Sequence, residues 1–368
     1  KDNIIHDEKK KISVVKTALL FGPNNTGKTC FLEALDFFVG IIKAGKIPEY
    51  IVDFNFFSSE RKMSFGIKFI ENSKIYDYEL YLLDKTVENE ILKINDKLIF
   101  DRSDRSTFSE NIKVLDDLIG GYKDKLFLLT LPESEYGDNV NDIRNFFNRF
   151  EFIYDFDLTR EEKLRFAEEF FNSDTKKDIL NIIRNADLLI DDVKVNEKFA
   201  EHLKKSGVPD EIIEENRICS VYTFNDIERT IPFFWVNSKG TIKTAIMAQK
   251  ISNAIKNNKI LVIDEIDGSL HTVLTKELIS YFNSSNNTKA QVITTTQDLL
   301  LLDDQYLLRK DQIWFIYKDK EANYLYSLDS FKDNKEVDAR GNVLNRYLKG
   351  LYGALPLPSI LGNEDETK

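Results

Sequence analysis

Eight residues near the N-terminus, Gly22-Pro23-Asn24-Asn25-Thr26-Gly27-Lys28-Thr29, constrain this chain more than any other feature. They match the spacing G-x-x-x-x-G-K-[ST], a loop that wraps a phosphate chain with its own backbone N–H groups. Gly22 and Gly27 supply close approach and positive φ. Asn24, Asn25, Thr26 and Cys30 stand where their main-chain N–H groups line the same cradle. Lys28 is placed to reach the β- and γ-phosphates, and the Thr29 hydroxyl to ligate Mg²⁺. Upstream, Val14-Val15 and residues 18–21 read as a buried strand; downstream, Phe31, Leu32, Leu35, Phe38, Val39 and Ile42 recur at helical spacing. A helix N-terminus aimed at phosphates adds its dipole to such a site. The plainer reading is an ordinary strand–turn–helix, and the flanking pattern weighs against it.

A second stretch supplies what the first lacks. Ile260-Leu261-Val262-Ile263 is an all-apolar run ending in Asp264-Glu265, the pattern of a strand buried on both faces with its polar residues at the carboxyl end. Asp264 is the candidate Mg²⁺ ligand, directly or through water. Glu265 is the candidate base that polarises the attacking water. Many strands end in a solvated acidic turn, so the run alone is weak. Beside a phosphate loop it reads as the other half of an ATP-hydrolysis site, and the acid after the magnesium Asp favours turnover over nucleotide storage.

Composition narrows the class. At 368 residues, with 42% hydrophobic and 31% charged residues, the chain has ordinary globular content and room for one large domain or two. No window approaches the roughly twenty apolar residues of a membrane span. Two cysteines, Cys30 and Cys219, give no disulfide framework and fit a reducing cytoplasm. Cys30 reads as a small helix residue rather than a redox switch. Three histidines make a His-rich metal site a poor fit. Net charge of −11 opposes a uniformly basic nucleic-acid-binding body while leaving room for a local basic groove. The sequence starts at Lys1 without Met, so a short N-terminal piece is expected to precede it.

The order of patterns predicts an interrupted ATPase. Residues 65–70, 75–83, 87–94 and 98–100 alternate as strands of an antiparallel meander, with turns at Glu71-Asn72-Ser73 and Asn95-Asp96. From about Ser103 to Asn216 the pattern is helical and charged, with helices over 141–152, 160–171 and 177–189. Strands return at Ile218 and continue at 293–297, 313–317 and 324–328. Three segments follow: an N-terminal lobe with loop and meander over 1–102, a helical insertion over 103–217, and a C-terminal lobe over 218–368. The fold class expected is α/β, a P-loop NTPase head of ABC type: a mixed sheet with helices, an antiparallel β subdomain and a helical insertion.

That layout directs attention to Ser238-Lys239-Gly240-Thr241, at a strand-to-helix junction about twenty residues before the acidic strand. In ABC ATPases a Ser-Gly signature at such a helix N-terminus caps the γ-phosphate bound on the opposite subunit, where free N–H groups and a dipole meet an anion. An ordinary N-cap Ser is the plainer reading. Gly268-Ser269-Leu270-His271 falls where such heads place a loop that crosses the dimer interface. Gln297, after Thr294-Thr295-Thr296, falls where they usually carry a switch His.

The stretches NSKGTIK, VIDEIDGSLH, QVITTTQDLLLLD, LRKDQIWFIYKD, LYSL and YLKGLYGALP together resemble bacterial AAA family ATPases of the abortive-infection and RloA type, within the overcoming-lysogenization-defect, SMC and RecF branch of ABC ATPases. The resemblance is most specific over 237–356 and in the phosphate loop. It implies ATP with Mg²⁺, a homodimer or higher homo-oligomer formed through the heads, and a role in defence against phage. By motif, Lys28, Thr29, Asp264 and Glu265 inherit the hydrolytic roles; Ser238, Gly240 and Thr241 inherit the signature role in trans. Asn237 stands where relatives often have an acid, and Gln297 where they often have His. Gln donates to a phosphate oxygen but carries no proton or charge, so slow hydrolysis is expected. The head's last strands end near Leu328, and the remaining stretch of about forty residues is shorter than an ordinary domain; an effector, a nuclease by the resemblance, is expected on a separate protein. A RecF-like clamp on DNA is the alternative, and a transporter subunit is opposed by the missing L-S-G-G-Q and the large insertion.

Overall fold

The computed structural model describes residues 3–7, 9, 12–48, 62–154, 158–172, 176–186, 189–268, 270–304, 306–318, 322–331 and 343–353. Two short strands, β1 (Ile4–Asp7) and β2 (Ile12–Val15), pair with each other. β3 (Thr17–Phe21) enters the phosphate loop and α1 (Lys28–Ala44) leaves it. The meander is β4 (Lys62–Glu71), β5 (Lys74–Leu83), β6 (Thr86–Ile94) and β7 (Lys97–Asp101). Then come α2 (Glu110–Ile119), α3 (Glu133–Phe147), β8 (Phe150–Ile153), α4 (Arg160–Asn172), α5 (Lys176–Ala186), β9 (Asp192–Val195), α6 (Glu197–Lys205) and α7 (Asp210–Asn216). The hairpin β10 (Ile218–Phe224) and β11 (Ile227–Pro232) leads through α8 (Phe233–Val236) to α9 (Lys239–Lys256). β12 (Ile260–Ile263), α10 (Thr272–Phe282), β13 (Gln291–Thr296), β14 (Ile313–Lys318), β15 (Asn323–Ser327) and α11 (Val343–Leu348) follow.

The chain divides by space rather than by chain order. One compact unit holds Lys1–Ile5, Val14–Lys28 and Ile153–Lys368; the other holds His6–Ser13 and Thr29–Phe152. The expected segments 1–102, 103–217 and 218–368 are cut differently, since 103–152 goes with the meander and 153–217 with the later half.

The first unit is the mixed α/β layer. Its sheet runs β15-β14-β3-β13-β12, and the end of β8 lies beyond β12, where the Ile153 carbonyl accepts the Asp264 N–H at 2.9 Å. β14, β3, β13 and β12 are parallel, with β15 antiparallel at the edge. Every residue of β12 is buried, as its unbroken apolar run requires. α9 packs Ala245, Ile246, Ala248, Ile251 and Ala254 into the same core. Because the central strands are parallel, the ends of β3, β12 and β13 open on one edge of the sheet, where open α/β sheets bind ligands.

The second unit is the antiparallel sheet β4-β5-β6-β7 with α1 past its first residue and with α2 and α3. The alternation read from sequence is obeyed: Tyr76, Tyr78, Leu80 and Leu82 are buried while Ile75, Asp77 and Glu79 are half-buried. The turns at Asn72-Ser73 and Asn95-Asp96 take positive φ, as their types require. Phe38 stacks on Phe65 at 5.1 Å and Phe69 on Phe146 at 4.0 Å.

Three expectations are corrected. Residues 141–152 are not one helix: α3 starts at Glu133 and ends at Phe147, and Phe150–Ile153 is the strand β8. The segment before Ile218 is not wholly helical, since β8 and β9 lie in it and β9 pairs antiparallel with β10. Val14-Val15 belong to β2, so the strand entering the phosphate loop is β3 alone. Ser269 and everything past Gly353 lie outside the described residues. Among the described residues no helix is long and apolar enough to cross a membrane.

Candidate active site

β3 delivers the phosphate loop at its carboxyl end. A Cβ on Gly22 would stand 2.7 Å from the Ile316 carbonyl of β14, so only glycine lets the loop leave the sheet there. Asn25 and Gly27 take φ of 63° and 94°. The Thr26 hydroxyl closes the bend by donating to the Pro23 carbonyl at 2.8 Å. Lys28 is 7% exposed and donates its Nζ to the Gly22 and Pro23 carbonyls at 2.7 and 2.9 Å. Burial pushes its ammonium below the usual lysine range, while Glu265, Asp264 and Asp267 oppose that shift. Thr29 and Cys30 occupy the first turn of α1 and are exposed, as are Asn24 and Asn25 on the loop.

The acids sit two strands away on the same edge. Asp264 directly follows β12, and the next residue, Glu265, takes φ of 51°, an uncommon conformation for a residue with a Cβ. Thr295 of β13, 0% exposed, holds the pair. Its hydroxyl donates to Asp264 Oδ1 at 2.5 Å and accepts the Glu265 N–H at 2.8 Å. Gln297 follows on the same strand end. Its Nε2 donates to Glu265 Oε1 at 2.6 Å, and its backbone N–H donates to Asp267 Oδ2 at 3.1 Å. The residue read as a switch is thus in the site, and its bond is to the carboxylate of the candidate base.

Ser238, Gly240 and Thr241 belong to the start of α9. Ser238 is the N-cap of α9, its Oγ accepting the Thr241 N–H at 3.1 Å, with the Thr241 hydroxyl 2.9 Å away. None of the three bonds to the phosphate loop or the acids among the described residues. Asn237 has a local reason to be an amide. Its Nδ2 donates to Ser220 Oγ at 2.8 Å and to the Phe233 carbonyl at 2.7 Å, and its Oδ1 accepts from Tyr222. An ionised acid makes neither donation. His271 caps α10, with Nδ1 accepting the Val273 N–H.

The residues fit a nucleotide with magnesium. Among the described residues no ion pair joins Lys28 to a carboxylate, and its buried ammonium is chemically suited to a phosphate oxygen. The donors that would hold Mg²⁺ are Thr29 and Asp264, in keeping with an ion bound through one or two carboxylates plus phosphate oxygens and water. Among the described residues Asp267 Oδ1 is buried without a hydrogen-bond donor, an acceptor fitted to an ordered or metal-bound water.

Thr295 and Asp267 escape the sequence reading. Thr294-Thr295-Thr296 looks like ordinary β-branched strand content. The available signal was its position, three consecutive hydroxyls at the buried carboxyl end of a strand that leads into Gln297.

Residues 18–303 match the family model described as "AAA domain, putative AbiEii toxin, Type IV TA system". No curated protein matches the chain in sequence. Among solved structures it is similar to the SMC head domain from Thermotoga maritima, with 11% identity, 86% of this chain and 92% of that chain covered, and a TM-score of 0.43. The Smc head domain with an extended coiled coil bound to the C-terminal domain of ScpA, derived from Pyrococcus furiosus, gives 12%, 91%, 98% and 0.42 in the same order.

Proposed function

We propose, from the premise that this chain belongs to the AAA domain family of AbiEii type, that it is an ATP-hydrolysing regulator of a bacterial anti-phage system. Its heads pair when ATP binds, and the pairing controls an effector on a separate protein, a nuclease in our reading. One observation carries the enzymatic part: the parallel ends of β3, β12 and β13 gather Lys28, Asp264, Glu265 and Gln297 on a single edge.

The loop from Gly22 to Lys28 holds the phosphates through backbone N–H groups and the Lys28 ammonium. Thr29 and Asp264 are the residues that would hold Mg²⁺, which neutralises charge on the β- and γ-phosphates when bound. Glu265, steadied through Oε1 by Gln297, accepts a proton from the water that attacks the γ-phosphorus. Ser238, Gly240 and Thr241 cap the γ-phosphate of the partner subunit's nucleotide through the N-terminus of α9.

The test separates binding from turnover. Lys28→Ala should abolish ATP binding. Glu265→Gln should bind ATP, stop turnover and accumulate a dimer. A Lys28 variant mixed with a Ser238→Ala variant should recover partial activity through one intact hybrid interface. Wild-type hydrolysis in Glu265→Gln would reassign the base, and no recovery in the mixture would make each site self-contained. Plaque counts on cells carrying the chain, with and without its neighbouring genes, test the defence role.

A further inference from the structure

We propose that Lys243 is a positioning residue for hydrolysis: from helix α9 it holds the turn that carries Glu265. Lys243 lies five residues beyond the N-cap Ser238, and its Nζ donates to the Gly268 carbonyl. Gly268 in turn donates its N–H to the Glu265 carbonyl at 2.9 Å, closing residues 265–268 into a turn. The opposite side of that turn is pinned to β13, where Ile266 N–H donates to the Thr295 carbonyl at 3.2 Å and Glu265 N–H to Thr295 Oγ1. A Cβ on Gly268 would stand 2.9 Å from Lys243 Nζ and 3.1 Å from the Glu265 carbonyl. A side chain at 268 would therefore crowd both the ammonium and the turn's own carbonyl.

Glu265 starts this turn at a positive φ, a conformation that its surroundings must enforce. Lys243 ties α9 to this turn, so displacement of the helix that begins at Ser238 is passed to the carboxylate that activates water in the reading above. The inference rests on the hydrolytic reading above and gives Lys243 no contact with the nucleotide.

The experiment uses the full chain with Lys243→Met, Lys243→Arg, Gly268→Ala and the Lys243→Met/Gly268→Ala pair. Three quantities are read: equilibrium binding of a fluorescent ATP analogue with magnesium, steady-state hydrolysis, and amide hydrogen exchange at 265–268 in the nucleotide-free protein. Lys243→Met should lower kcat by roughly ten- to a hundredfold and speed exchange at Gly268, with binding nearly unchanged. Lys243→Arg should restore most of kcat, because a guanidinium also donates to a carbonyl. The double variant should lose no more than the worse single one, since both remove the same contact. Unchanged exchange and turnover in Lys243→Met overturn the proposal, as do losses that add in the double variant or a binding loss as large as the kcat loss. A wild-type chain that binds no ATP sinks the hydrolytic reading instead, and the exchange data still decide whether Lys243 holds the turn.

Discussion

Thr295→Val tests the construction of the site with almost no change of shape. The valine keeps the β-branched volume at a position 0% exposed but removes both bonds of the hydroxyl. The bond to Asp264 Oδ1, 2.5 Å, involves a charged acceptor, and such bonds contribute about 1.5–3 kcal/mol. The lost acceptor also strands the Glu265 N–H, bonded at 2.8 Å. Glu265 is exposed, so water partly replaces that bond and its loss falls near the low end of about 1–3 kcal/mol. Together the substitution should destabilise the chain by about 2–4 kcal/mol, read as a lower urea midpoint with an unchanged slope. Hydrolysis should fall as well, because Asp264 and Glu265 lose their common anchor, while ATP binding through Lys28 persists. Thr295→Ser is the control: it keeps both bonds and loses one methyl, worth about 1 kcal/mol. Thr295→Val matching Thr295→Ser in urea midpoint and turnover would refute the anchor.

Gln297→Ala should cut turnover by roughly ten- to a hundredfold by freeing Glu265 Oε1, whereas Gln297→His should keep much of it through a ring N–H; equal rates in both variants and wild type would remove Gln297 from the mechanism. Glu90→Gln addresses the second unit, where Glu90 is 0% exposed and accepts Phe127 N–H and Leu128 N–H, both at 2.8 Å, and Tyr78 OH at 3.1 Å. An amide group must turn its NH₂ toward one of these donors, so a loss of about 1–3 kcal/mol is expected in urea unfolding. Burial raises the Glu90 pKa above 4.5 against the pull of these donors and Arg102. The folded chain then holds the proton to higher pH than the unfolded one, and its stability contribution is lost as pH rises from 4.5 through the raised value. Glu90→Gln should abolish that slope, and an unchanged slope would place its origin elsewhere.

What was legible in the sequence was what local pattern and backbone chemistry decide. The phosphate loop is fixed by Gly22 and Gly27, whose requirements are a close approach and a positive φ. The meander strands followed from strict alternation, and β12 from four apolar residues ending in two acids. The strands β8 and β9 were not legible, because four residues carry too little pattern to outweigh the helical run around them. Phe146-Phe147 and Phe150 continue one apolar pattern across the end of α3, so the break at Asn148 is set by tertiary pairing. The partition into units was hidden for a similar reason, since segments distant in sequence share one core.

Asn237 and Gln297, the two departures read from the resemblance, differ in kind, and the geometry tells them apart. Asn237 faces its own unit: both amide protons go to Ser220 and the Phe233 carbonyl, and its oxygen accepts from Tyr222. An ionised acid there would set a charge against the Phe233 carbonyl, so the amide serves the junction that presents Ser238. Gln297 faces the site. Its amide donates to Glu265 and its backbone to Asp267, two of the three carboxylates that raise the pKa of Lys28. A histidine could make the same donation but would add a titrating charge beside Glu265. Glutamine gives Glu265 a neutral donor that has no titrating group of its own. On the hydrolytic reading proposed above, slow turnover would follow from the lack of a cation at position 297 rather than from a displaced Glu265.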